Sequence, residues 1–252
     1  MPLLIPRLPW PPEFPDVVIH NDLQARNRHP SYAAAKAGDA EAANALVREL
    51  LSIESTARLA GLLAGRHPFV VGVTADEVGG FNAIPDAMAE ILAERLESEV
   101  VAGTIIQANK VGHTRAGGWH RLVTPAVFTG DVVSAADYIL VDDHVGFGGT
   151  LANLRGFIEH GGGHVIAMTT LTETREARQI ATRVATLTAL QEKHGRPLEQ
   201  FWHEEFGHGV DCLTNIEAGY LCRAESVTAI KARMAAAAEL ARRGGLSPVS
   251  LS

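Results

Sequence analysis

Residues 138–150 read Tyr-Ile-Leu-Val-Asp-Asp-His-Val-Gly-Phe-Gly-Gly-Thr, and this stretch decides the fold. Its four apolar residues predict a buried strand, and the two carboxylates follow at the C-terminal end, where open α/β sheets bind their ligands. A glycine-rich turn comes next and opens a helix, so its N–H groups and the helix dipole favour an anion. The stretch therefore predicts a phosphate site beside an acidic pair.

The pattern on both sides of this stretch alternates between strands and helices. We predict strands at residues 69–74, 100–106, 138–141 and 164–171, and helices at residues 81–96 and 150–160. A spacing of about thirty residues between strands, with a helix between them, is typical of right-handed βαβ units. We therefore expect an α/β fold with a parallel, doubly wound sheet over residues 66–172.

The two ends of the chain differ from this core. Residues 1–16 are rich in proline and predict an extended arm, because proline fixes φ. Residues 17–65 predict two or three helices, with Asp39 as an N-cap. Residues 173–252 predict a helical segment, with helices at 173–193 and 224–243. Residues 107–123 have no periodicity and predict a long irregular loop.

Composition excludes several classes of function. The net charge of −7 offers no broad basic face for duplex DNA, so we expect no nucleic-acid partner. No apolar run reaches the roughly 18–20 residues that cross a bilayer, so we expect a cytoplasmic protein without a membrane partner. Two cysteines without Cys-x-x-Cys spacing indicate neither a disulfide framework nor a zinc ribbon.

Better-known motifs do not fit the glycine turn. Leu151 stands where a dinucleotide fingerprint has its third glycine, and no Gly-Lys-Ser/Thr follows as in a Walker loop. His203 and His208 are five residues apart, so on a helix they would point about 140° away from each other and could not form a zinc-protease pair. Two adjacent carboxylates suit sugar hydroxyls or water on Mg²⁺, so Asp142 and Asp143 beside a phosphate describe a site for a ribose 5-phosphate.

At these residues the chain resembles the type I phosphoribosyltransferases, whose signature is four apolar residues, two acids and a Thr-Gly-Gly-Thr-like loop. The resemblance implies that Asp142 and Asp143 bind the ribose of 5-phosphoribosyl-1-diphosphate (PRPP) and that Mg²⁺ is held near them, through water. It also implies a 5-phosphate loop made of the following residues: His144, Val145, Gly146, Phe147, Gly148, Gly149 and Thr150.

The resemblance extends more weakly over residues 66–172. It implies a pyrophosphate loop at Ala75, Asp76 and Glu77, and a closing loop at 107–123 whose Lys110 and Arg115, with Arg121 as a third candidate, neutralise the departing diphosphate. Asp143 is also a candidate to take a proton from the nucleophile. The helical ends 17–64 and 173–252 would form a hood that selects the nucleophile. The implied protein is a transferase of nucleotide metabolism that joins PRPP to a nitrogen of a small molecule resembling a nucleobase.

Two departures from the family pattern leave an alternative open. Phe147 stands where the phosphate loop usually has a small hydroxylated residue, and Asp76 and Glu77 stand where a basic residue is common. Carboxylates facing a diphosphate repel it unless a metal ion lies between them. The alternative is a non-catalytic PRPP sensor, and a weaker one is a phosphohydrolase. The sequence identifies neither the nucleophile nor the oligomeric state, for which a homodimer is one option.

Overall fold

The computed structural model describes residues 4–77, 80–101, 104–112, 117–174 and 176–248. Its strands are β1 (Val18–Ile19), β2 (Phe69–Gly72), β3 (Asp76–Glu77), β4 (Gly80–Phe81), β5 (Glu99–Val100), β6 (Ile105–Gln107), β7 (Phe128–Gly130), β8 (Asp137–Val145) and β9 (His164–Glu173). Its helices are α1 (Leu23–Arg28), α2 (Tyr32–Lys36), α3 (Ala40–Leu50), α4 (Ile53–Leu63), α5 (Ile84–Leu96), α6 (Gly118–Val123), α7 (Gly149–His160), α8 (Val184–Phe206), α9 (Asn215–Cys222) and α10 (Val227–Arg243).

The main sheet has five strands in the order β1-β9-β8-β2-β5. Each neighbouring pair in it is parallel, which confirms the predicted α/β class. The edge strand β1 was not predicted, because two residues after a proline-rich segment show no alternation to detect. Two small antiparallel pairs, β3 with β4 and β6 with β7, lie outside this sheet.

Apolar cores cover both faces of the central strand β8. Ile139 and Val141 belong to a core shared with α3, α4 and α5, whereas Tyr138 and Leu140 belong to a second core shared with α7. This division follows from the alternation of side chains along a strand. It also explains why the strand reads as a continuous apolar run, since both of its faces are buried.

The structure confirms the predicted elements at β2, β9, α5 and α7 and corrects three others. Residues 100–106 are not one strand, since β5 and β6 belong to different sheets. Residues 107–123 are not irregular throughout, because Leu122 and Val123 of α6 are buried against the C-terminal helices. The helix predicted from residue 173 begins only at Val184, because β9 continues through residue 173 in register with β8.

Helices from both ends of the chain bury large apolar side chains. Leu46 and Leu59, from the segment at 17–65, share one core with Ile139 of the central strand. The helices α8, α9 and α10 build a third core around Trp202, and α6 contributes to it. The predicted N-cap Asp39 is confirmed, since its side chain accepts from the amide of Ala42. Among the helices of the described ranges, none is long and apolar enough to cross a bilayer.

Candidate functional site

The turn between β8 and α7 is held in place by the C-terminal helices. Gly148 is the N-cap of α7 with φ of +79°, a left-handed conformation that favours glycine. The hydroxyl of Thr214, the N-cap of α9, donates to the carbonyl of Phe147 at 2.5 Å. The ring of Phe147 packs on Tyr220, with 5.3 Å between ring centroids. These contacts fix the turn, and with it the position of the first backbone amides of α7.

A cavity of about 40 Å³ opens at the N-terminus of α7. The described residues that line it are Arg7, Arg121, Pro125, Asp142, His144, Val145, Gly146, Phe147, Gly148, Gly149, Thr150, Leu151, Asn153 and Glu217. A buried water needs about 10–15 Å³ of such space, so the cavity holds about three waters. This is roughly the size of a phosphate group. All seven residues predicted for the phosphate loop line it.

Asp142 borders this cavity and Asp143 does not, although the two carboxyls lie close enough to share a side-chain hydrogen bond. Burial, followed by the charge of Asp143, raises the pKa of the Asp142 carboxyl well above its ordinary value. The Asp142 carboxylate also accepts a hydrogen bond from the Asp143 amide at 2.8 Å. A carboxyl with a raised pKa holds a proton more readily than an ordinary aspartate.

The Asp143 carboxylate lies against α1 and α2. It is 3.2 Å from the Lys36 Nζ and 3.7 Å from an Arg26 guanidinium nitrogen. Burial alone would raise the pKa of Asp143, but Lys36 and Arg26 outweigh it and hold that pKa below the ordinary value. The Asp143 side chain is only 9% exposed, and both cations stabilise its ionised form.

His144 and Arg121 complete the polar wall of the cavity. The His144 ring nitrogens lie 2.9 Å from the Thr172 hydroxyl and 3.1 Å from the Thr174 hydroxyl. Burial, followed by the charge of Arg26, lowers the pKa of His144 to about 4, so the imidazole is neutral at pH 7. Arg121 reaches the cavity from α6, with its guanidinium carbon 5.7 Å from the Phe147 ring centroid. Burial lowers its pKa, yet arginine keeps its charge at neutral pH.

The N-terminal arm contributes Arg7 to the site, which the sequence did not predict. The Arg7 guanidinium lies 2.5 Å from the Glu217 carboxylate, and its Nε donates to the Asn153 side-chain oxygen at 2.6 Å. The arm is anchored because Arg155 donates to the carbonyls of Leu8 and Pro9, each at 3.0 Å. The arm is extended, as predicted, but it packs on α7.

A sequence motif marks Glu217, whereas no motif marks Arg7. Thr214 and Glu217 form a capping box at the start of α9, and the Thr-x-x-Glu spacing is a known signature of a helix N-terminus. Its second function, as the ion-pair partner of a residue 210 positions away, follows only from tertiary structure. No local pattern distinguishes Arg7 from any other residue of a proline-rich arm.

The other predicted residues lie away from this cavity or outside the described ranges. Lys110 is exposed and does not line the cavity. Arg115 lies outside the described residues. Ala75 is buried and bridges to Gln107 through its backbone. Asp76 and Glu77 form β3, and their side chains lie outside the description.

Within the described ranges, no group of three His, Cys, Asp or Glu side chains could hold a metal ion. A metal bound here would therefore need most of its ligands from elsewhere. Mg²⁺ is often bound by one or two carboxylates together with substrate phosphates and water. The single carboxylate of Asp142 beside a phosphate-sized cavity is compatible with that mode.

Two curated proteins are similar in sequence, and the chain matches no protein-family model. The chain is 46% identical to the protein TraN of Escherichia coli over 231 residues, which is 92% of this chain and 51% of TraN. It is 38% identical to an uncharacterized protein of Haemophilus influenzae over 152 residues, which is 60% of this chain and 34% of that protein. The chain thus spans about half the length of the first relative and a third of the second.

Phosphoribosyltransferases are among the solved structures that are similar in fold. Adenine phosphoribosyltransferase from Thermoanaerobacter pseudethanolicus is 22% identical with a TM-score of 0.33, over 54% of this chain and 70% of that one. A Staphylococcus aureus hypoxanthine phosphoribosyltransferase is 16% identical with a TM-score of 0.34, over 50% of this chain and 62% of that one.

Proposed function

We propose that this chain binds PRPP and transfers its phosphoribosyl group to a nitrogen nucleophile, releasing diphosphate. The observation that carries the proposal is the phosphate-sized cavity at the N-terminus of α7 with the Asp142 carboxyl on its wall. An anion there meets the first amides of a twelve-residue helix and the charge of Arg121. The ribose of the same ligand would then lie beside Asp142.

Asp142 is the residue that we assign to the ribose. An ionised carboxylate accepts hydrogen bonds only, which suits a sugar hydroxyl. Its raised pKa also makes Asp142 a better proton acceptor for the attacking nitrogen than Asp143, whose pKa is lowered by Lys36 and Arg26. Asp143 was the base expected from the sequence, so this assignment moves that role to its neighbour.

The proposed reaction breaks the bond between C1 of the ribose and the diphosphate oxygen and forms a bond from C1 to the nucleophile's nitrogen. The nitrogen loses its proton to a base, and the electron pair of the broken bond leaves with the diphosphate. Mg²⁺, when bound through water near Asp142, would neutralise charge on that leaving group. Lys110 and Arg115 remain proposed for the same purpose, as cations of the segment at 107–123.

Calorimetric titration with PRPP tests the binding step. Asp142→Asn should weaken PRPP binding by about ten- to a hundredfold, because a hydrogen bond to a charged group contributes roughly 1.5–3 kcal/mol. Asp137→Asn is the matched control, since Asp137 lies at the other end of β8 and pairs with the exposed Arg66. Equal PRPP affinity of the two variants would remove Asp142 from the site, and absence of PRPP binding by the wild type would end the proposal.

A second candidate function is a sensor that binds PRPP without turning it over. Two observations favour it: Asp143 is committed to Lys36 and Arg26, and the Phe147 carbonyl is committed to Thr214. Measuring diphosphate release over a panel of nucleobases separates the candidates. Release with one base supports the transferase, whereas tight PRPP binding without release on any base supports the sensor. Release of orthophosphate would indicate the phosphohydrolase instead.

A further inference from the structure

Asn153 is a buried residue of α7, and only one of the two polar atoms of its side-chain amide has a hydrogen-bond partner. Its oxygen accepts a hydrogen bond from the Arg7 Nε at 2.6 Å. Its nitrogen Nδ2 has no hydrogen-bond acceptor anywhere in the described part of the chain, although the residue is only 4% exposed. Leaving a buried donor without an acceptor costs about 1–3 kcal/mol. Asn153 lines the phosphate-sized cavity, so an acceptor bound there would remove this cost.

The orientation of the Asn153 amide is determined by Arg7. A flipped amide would bring its nitrogen toward the Arg7 Nε, and two donors would then face each other. Arg7 cannot turn away, because its guanidinium also binds the Glu217 carboxylate at 2.5 Å and 3.1 Å. Glu217 in turn belongs to the capping box of α9. The network therefore fixes the amide so that its oxygen binds Arg7 and its Nδ2 can donate to a ligand.

We propose that Asn153 Nδ2 donates a hydrogen bond to a phosphate oxygen of the ligand, and that Arg7 is the positioning residue that orients it. This inference rests on the phosphate site of the proposed function and adds to it a donor one turn inside α7. The N-terminal arm thereby becomes part of the ligand site through Arg7.

Asn153→Asp is the sharpest variant, because it replaces the donor by an acceptor of the same shape and keeps the partner of Arg7. The affinity for orthophosphate and for ribose 5-phosphate, measured by calorimetry, should fall about ten- to a hundredfold, as expected for one hydrogen bond to a charged group. The unfolding temperature without ligand should not fall. Asn44→Asp on the exposed face of α3 is the control for the added charge.

Affinity of Asn153→Asp within twofold of the wild type would overturn the inference while leaving the phosphate site intact. No binding of either compound by the wild type would instead overturn the phosphate site itself. The two failures are thus distinguishable.

Side-chain amide signals in a nitrogen–proton correlation spectrum separate a direct contact from a structural effect. The Asn153 pair is identified by its absence from the spectrum of Asn153→Asp. Saturating orthophosphate should shift this pair, and Arg7→Lys, which lacks the Nε donor, should move it before any ligand is added and weaken binding. A pair that stays unmoved at saturating orthophosphate would show that Asn153 does not contact the anion.

Discussion

Asp142 and Asp143 share a side-chain hydrogen bond, but the two carboxyls meet different partners. Asp142 borders the cavity, and Asp143 is buried against Lys36 at 3.2 Å. We therefore assign the ligand to Asp142 and a stabilising function to Asp143.

Asp143→Asn should destabilise the fold by about 3 kcal/mol, since it leaves the buried Arg26 guanidinium without its counter-charge. The urea dependence of unfolding at pH 7 measures this loss. Adding Arg26→Met to the variant should restore part of it, because the buried charge without its counter-charge is then gone. If the double variant is as unstable as the sum of the single ones, Arg26 and Asp143 are not coupled.

Asp142→Asn should stabilise the ligand-free protein at neutral pH. The folded-state pKa of Asp142 is raised, so its contribution to stability is complete below the unfolded pKa of about 3.9 and is lost as pH rises through the folded pKa. Asparagine does not titrate and avoids that loss. The urea midpoint of the variant should exceed that of the wild type at pH 7, with the gap closing near pH 4. A gap that is independent of pH would contradict the raised pKa.

Acidification below about pH 6.5 should destabilise the protein through the buried His20. Burial lowers the pKa of His20 to about 4, so its contribution is present above the unfolded pKa of about 6.5 and is lost as pH falls toward the folded value. His20→Leu should reduce the loss between pH 6.5 and 4 by about 3 kcal/mol, as pKa linkage requires. Thermal unfolding across this range measures it, and the exposed His67→Leu is the control.

Gly148→Ala should both destabilise the fold and weaken phosphate binding. An added Cβ would lie 3.1 Å from the Thr214 methyl and 3.2 Å from Ile180, in a backbone with φ of +79°. Gly65 has the same φ of +79° with nothing within 4 Å, so Gly65→Ala measures the backbone cost alone, about 1–2 kcal/mol. Equal unfolding free energies for the two variants would show that the turn tolerates the added methyl group.

Glu217→Gln should cost about 3 kcal/mol or more, since it leaves the largely buried Arg7 guanidinium without its counter-charge. Chemical unfolding measures the change. Glu225→Gln removes a carboxylate from an exposed pair with Arg233 and should leave the unfolding midpoint nearly unchanged. A midpoint for Glu217→Gln as high as that of the Glu225 control would mean that Arg7 finds another partner.

The central part of the fold could be predicted because its signals are local. The apolar run at residues 138–141 and the periodicity of α5 report burial directly, and the βαβ spacing then implies parallel strands. The edge strand β1 and the helix α6 could not be predicted. Each is short, and each is stabilised by distant partners: Val18 by Thr169, and Leu122 by the C-terminal helices.

Only the part of the site that is contiguous in the sequence could be predicted. The turn at 144–150 and the carboxylate of Asp142 form one wall of the cavity, as expected. The strand was predicted to end at residue 141, but β8 continues to Val145, and the ion pairs of Asp143 with Lys36 and Arg26 depend on helices distant in sequence. Arg7, Asn153 and Glu217 come from an arm, a helix interior and a capping box, so only the folded chain brings them together.

The ion pair between Arg7 and Glu217 also sets an order of events during synthesis. Once residue 173 has left the ribosome, all five strands of the main sheet are available to pair. Arg7 must still wait for a partner that emerges many residues later, so a nascent chain has its sheet before it has its cavity. A product truncated before α9 would lack Glu217, the carboxylate that holds Arg7 and, through Arg7, orients Asn153.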